Sequence, residues 1–132
     1  MYRWVDHTAE VELAIATQTE TEVFADSLSA LAELMGFAGK PGEAHEHRTV
    51  TASAPDRAAL LAAWLEELVF LSEAEGFVAL ELESLQRTAD GLRATVAGVL
   101  DDPPPLVKAV TYHRLQFEPS GSGYVANVVL DV

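Results

Sequence analysis

The sequence predicts a two-layer α+β fold, an antiparallel β-sheet with two amphipathic α-helices packed on one of its faces. Three observations carry this. Apolar residues recur every three to four positions in two stretches, 24–35 and 61–71, the period of a half-buried helix. Most other apolar stretches alternate with period two, the strand signature. After the second helical stretch come four strand-like segments linked by turn signals, which suits consecutive antiparallel hairpins rather than parallel crossovers.

The elements follow in order. In "VELAIAT" (11–17), Val11, Leu13 and Ile15 share one face. Thr19 with Glu22 has the spacing of a capping box, and Phe24, Leu28, Leu31 and Met35 form the stripe of the first helix, with Gly36 as its stop. "GKPGEAHEH" from Gly39 reads as a polar loop and "HRTVTAS" (47–53) as a strand. Pro55 is expected in the first turn of the second helix. Leu61, Trp64, Leu65, Leu68 and Leu71 make that helix's apolar face, and it runs to about Glu75 before Gly76. "FVALELESL" places Val78, Leu80 and Leu82 on one side of a strand. Asp90-Gly91 is a two-residue hairpin signal, and "LRATVAGVL" is the returning strand. "DDPPP" (101–105) is a stiff connection, because proline cannot join a ladder. "VTYHRLQF" and "YVANVVLDV" are the last two strands, joined by the turn "EPSGSG".

Length and composition bound the function. The 132 residues suit one domain, 1–132. No apolar run reaches the roughly 20 residues a membrane helix needs, and "MYRWVDHT" lacks the order of a signal peptide. Without cysteine there is no disulfide framework and no thiolate chemistry. These features fit a cytoplasmic protein. A net charge of −13 repels phosphate backbones, so direct nucleic-acid binding is disfavoured. A basic protein partner or a cation fits better, and plain solubility accounts for the charge equally well.

Four clusters could carry chemistry. "DHTAE" (6–10) brings Asp6, His7, Thr8 and Glu10 together, and strand alternation would send Asp6, Thr8 and Glu10 to one side, where carboxylates could ligate a hard cation. The plainer reading is a turn whose side chains bond their own backbone. At the other end, Asp131 shares a face with Val125, Asn127 and Val129, and Val132 adds a carboxylate beside it. Two such anions repel unless exposed or bridged by a cation. Lys108 stands among apolar residues ahead of Tyr112 and His113, where a solvated lysine is the ordinary expectation. His45 and His47 form an isolated pair that lacks further ligands for a soft metal. Phosphate-loop, GxSxG, HExxH and CxxC patterns are all absent.

Three of these stretches together, "DHTAEVEL", "KAVTYHRL" and the terminal "VVLDV", resemble the archease family, as does "LLAAWLEELVFL" in the second helix. The resemblance extends over essentially the whole chain. It implies a small cytoplasmic accessory protein of an RtcB-type RNA ligase, which seals 2′,3′-cyclic-phosphate or 3′-phosphate RNA ends to 5′-hydroxyl ends through a guanylylated histidine. The accessory protein promotes guanylylation and multiple turnover, touches RNA only through the ligase, and is not itself an enzyme. The resemblance also implies a divalent cation, calcium foremost, with Glu10, Asp131 and the final residue Val132 as ligands. It assigns Lys108 to activity and places His7 within the first motif; Asp6 is a further candidate ligand. Oxygen-only donors favour calcium or magnesium over zinc.

Four positions depart from the family pattern. Glu10 stands in place of aspartate, Glu12 in place of glycine, Glu66 in place of asparagine, and "DDPPPLV" shortens a loop that usually carries a histidine. Two competing functions remain. One is a small metal-dependent hydrolase using Asp6, His7 and Glu10. The other is a binding domain without metal.

Overall fold

The computed structural model describes residues 1–7, 9–37 and 44–132, with His7 described in its backbone alone. The elements are β1 (Tyr2–His7), β2 (Glu10–Thr17), α1 (Glu20–Leu34), β3 (Glu46–Ser53), α2 (Arg57–Glu75), β4 (Phe77–Arg87), β5 (Gly91–Leu100), β6 (Ala109–Ser120) and β7 (Gly123–Asp131). The α+β class and the antiparallel pairing are as expected. The strands form two sheets rather than one, in the orders β1-β2-β7-β6 and β3-β5-β4. The cause is positional. β5 is flanked by β3 and β4 on its two edges, so β6 has no free edge of β5 to join. The Pro-rich connection at 103–105 then carries the chain across to β7.

Both helices touch both sheets. α1 packs on β2 and β7 of one and β4 of the other, and α2 on β6 of one and β3 and β4 of the other. Trp64 of α2 is fully buried and donates its indole N–H to the Phe24 carbonyl at 3.1 Å and to Ser27 Oγ at 3.2 Å on α1. The Phe24 ring meets Trp64 edge-on at 6.0 Å, a favoured aromatic geometry. The Tyr2 hydroxyl donates to Glu33, tying β1 to α1, and burial together with this bond pushes that hydroxyl's pKa up to about 12.

Local signals placed the helix ends well. Thr19 caps α1 by accepting from the Glu22 amide at 3.2 Å, and Gly76 ends α2 at φ +66, a conformation costly for other residues. Pro55, however, precedes the cap of α2: Asp56 is the N-cap, accepting from the Ala59 amide at 2.8 Å.

Three strand details differ from the sequence expectation. The Thr88 amide bonds the Gly91 carbonyl at 2.9 Å, so the turn residues are Ala89 and Asp90, and Gly91 opens β5. Gly91 is needed for closeness rather than for turning, since a Cβ there would lie 1.9 Å from the Ala52 carbonyl oxygen. In β4 a register shift between Ala79 and Glu81 inserts Leu80 as an extra residue. Val78 and Leu80 therefore pack in a small cluster with Ala32, while Leu82 returns to the main core. Finally, the first apolar stretch is preceded by a separate strand, β1, that pairs with β2 as a hairpin.

Candidate metal and partner site

The carboxylate end of the first sheet is built by backbone register. β2 pairs with β7 so that Glu10 lies directly opposite Asp131, and β6 pairs with β7 so that Ala109 lies opposite Asp131 on its other side. Directly opposed residues of an antiparallel pair project to the same face, with Cβ atoms about 5 Å apart. The amide of Val132 donates to the Ala9 carbonyl at 3.2 Å, and the amide of Lys108 donates to the Asp131 carbonyl at 2.7 Å. Val132 also packs its side chain on the main core. Residues 10, 131, 132 and 108, scattered over the sequence, thus meet at one sheet end.

Asp6 and Glu10 do not share a face. Ala9 takes φ +62 in the turn between β1 and β2, and Asp6 then pairs with Val11 rather than extending the line of Glu10. Val11 is on the core-facing side with Leu13 and Ile15; Asp6 therefore projects to that side and Glu10 to the other. The expected alternation fails because the segment folds back as a hairpin instead of running straight. His7 pairs in register with Glu10, and its side chain, like Thr8 and most of the loop read from Gly39 (residues 38–43), lies outside the described residues.

Other candidates stay apart. His47 is on β3, as the strand reading of 47–53 expects, with its Nε2 3.3 Å from Glu83 Oε1. Among the described residues no three His, Asp or Glu side chains converge as a metal cluster. The set at the sheet end is a pair of side-chain carboxylates plus the group carried by Val132. All are hard oxygen donors of the kind calcium and magnesium take, and so the donor chemistry fits such a cation.

Sequence reasoning missed Arg114. In β6 the register shifts between Thr111 and Gln116, so that residues 112–115 span the single β7 residue Val128. Arg114 sits in this bulge at φ +56, and its Nη2 lies 3.6 Å from Glu10 Oε1 and 3.4 Å from Glu12 Oε1. Asn127 donates through Nδ2 to Glu12 Oε2 at 2.7 Å and to the Arg114 carbonyl at 3.1 Å. The only sequence hint was a second basic residue near Lys108 in a chain with 8 lysines and arginines.

The Lys108 side chain is exposed and lines a shallow cleft of about 150 Å³ with Glu66, Val69, Phe70 and Glu73 of α2. Phe70 is 58 % exposed there.

The sequence profile of the Archease protein family matches residues 2–132. The chain belongs to that family. The archease of Thermococcus gammatolerans is 34% identical over 143 residues, covering 100% of both chains. That of Methanosarcina acetivorans is 32% identical over 142 residues, covering 99% of this chain and 95% of the relative. Among solved structures, the solution structure of Methanobacterium thermoautotrophicum protein 1598 superposes with a TM-score of 0.76 at 27% identity, covering 99% of this chain and 98% of the other. A Thermotoga maritima archease, described as a possible chaperone, shares the fold at a TM-score of 0.66 and 20% identity, covering 100% and 98%. Glu12 faces both Arg114 and Asn127, and Glu66 lines the Lys108 cleft.

Proposed function

We propose that this protein is a cytoplasmic accessory factor that activates an RtcB-type RNA ligase, promoting guanylylation of the ligase histidine and its repeated turnover in tRNA splicing or RNA repair. In this reading it holds a divalent cation, calcium in preference, through Glu10, Asp131 and the carboxylate of Val132, and Lys108 acts on the partner from beside that site. Family membership supports the accessory role. The observation that best supports the site is the direct opposition of Glu10 and Asp131, with Val132 and Lys108 hydrogen-bonded to the same sheet end.

The chain's own groups have separable roles here. Glu10 and Asp131 bring negative charge to one exposed end. The backbone bonds of Val132 and Lys108 hold the strand termini in place. A bound cation would supply a positive point toward a phosphate or carboxylate of the partner. With a net charge of −13, contact with RNA runs through the ligase. The hydrolase reading loses support because Asp6 projects away from Glu10.

A multiple-turnover ligation assay tests the proposal, with the cognate ligase limiting relative to RNA carrying a 3′-phosphate end. Many turnovers only when this protein is present support it. Single-turnover product regardless of the protein, from a ligase shown to be competent, would overturn it; hydrolysis of phosphate esters by the protein alone would favour the enzyme reading instead.

A further inference from the structure

We infer that Arg114 is a resident counter-ion that occupies the carboxylate end of the sheet when no cation is bound, and that it must move aside from Glu10 for a divalent cation to bind. It thereby sets how tightly the cation is held. This rests on the assignment of Glu10 and Asp131 as cation ligands.

The geometry separates what is anchored from what is loose. The backbone of the bulge is anchored, because the Arg114 carbonyl accepts from Asn127 Nδ2 at 3.1 Å and the same amide donates to Glu12 at 2.7 Å. The guanidinium is loose. Its approaches to Glu10 and Glu12, 3.6 and 3.4 Å, are longer than charge-assisted hydrogen bonds, and the side chain is 44 % exposed. The two acids differ as well. Glu12 is only 16 % exposed and is fixed by Asn127, whereas Glu10 is 33 % exposed and has the longer contact. Glu10 is therefore the acid able to exchange a guanidinium for another cation while Glu12 keeps the arginine nearby.

The consequence is electrostatic. Arg114 Nη2 lies 3.6 Å from Glu10 Oε1, so a divalent ion held by Glu10 and Asp131 would meet a like charge there, and binding would have to displace or tolerate it. Because the bulge is tied through its backbone, the side chain can swing without unmaking the β6–β7 pairing. Glu10, on β2, reaches across β7 to the bulge on β6.

Calcium titration of the whole protein by calorimetry, with thermal melts in chelator and in calcium, tests the inference without any ligase. Arg114→Gln removes the charge and Arg114→Lys keeps it. The glutamine variant should bind calcium about tenfold more tightly than wild type, a modest figure suited to a partly exposed pair, and the lysine variant should stay near wild type. Equal affinities for wild type and Arg114→Gln would overturn this inference alone. Equal tightening in both variants would also overturn it, because loop packing rather than charge would then be responsible. No calcium response in wild type or in Arg114→Gln would remove the cation site itself, and the counter-ion role with it.

Discussion

Asp131→Asn should reverse the stability order of variant and wild type between chelator and calcium. Asp131 faces Glu10 across β2 and β7, at a Cβ separation of about 5 Å for such a pair. Two unit charges at that distance repel by about 1 kcal/mol when solvent screens them as bulk water does, and Arg114 beside Glu10 reduces this somewhat. In chelator, then, the asparagine variant should be up to about 1 kcal/mol more stable than wild type, a rise of about 4 °C in Tm for a chain of this size. With calcium at about a hundred times Kd, a wild type that binds only when folded gains about 2.7 kcal/mol, or about 10 °C. The variant, left with one side-chain carboxylate, should gain little. The order of the two melting temperatures should therefore reverse: variant above wild type in chelator, wild type above variant in calcium. Differential scanning calorimetry in the two buffers reads this directly. Equal calcium shifts in the two proteins would refute the reasoning, as would a variant less stable than wild type in chelator.

Three further expectations follow, the first two independent of the cation. Glu20 accepts from Arg57 at 2.8 Å and from Arg87; burial pushes its carboxyl up, but these bonds outweigh burial and hold it below the usual carboxylate value. A depressed carboxyl stabilises the fold above its unfolded value, about 4.3, and that stability is lost as pH falls through its folded value. Glu20→Gln should cost about 1–2 kcal/mol in urea melts at pH 7, with the gap closing at acid pH; a gap unchanged at about pH 2 would count against it. Gly91→Ala should cost about 3 kcal/mol by forcing β3 and β5 apart at Ala52, and a melt within about 0.5 kcal/mol of wild type would show that the strands yield cheaply. Lys108→Ala should leave the melting temperature and calcium shift as in wild type but lower ligase stimulation severalfold; loss of folding would mark the lysine as structural.

How far each feature could be read depended on how local its cause is. The α1 cap at Thr19, the α2 stop at Gly76 and the apolar face around Trp64 were legible, because a few neighbouring residues decide them. The hairpin near Asp90 was found but placed one residue late, since Gly91 answers to the Ala52 backbone on another strand rather than to the turn. The bulges at Leu80 and at residues 112–115 carry no glycine or proline to announce them. At the site, the motif resemblance named Glu10, Asp131, Val132 and Lys108, and the register brings those positions together. Asp6 was misplaced because alternation along a straight strand does not survive a turn at Ala9.

The sequence by itself determined the helices, most of the strands, the acidic charge and the family motifs, all properties of contiguous residues and their side-chain periodicity. Only the tertiary structure decided that the strands divide into two sheets, that Asp6 projects away from Glu10, and that Arg114 comes to rest on Glu10 and Glu12. The second turns on the hairpin at Ala9, whereas the first and third depend on which strand edges are already occupied and where a register slips. Such outcomes follow from competition between distant segments for backbone hydrogen bonds and core space, and no local window of residues contains both competitors.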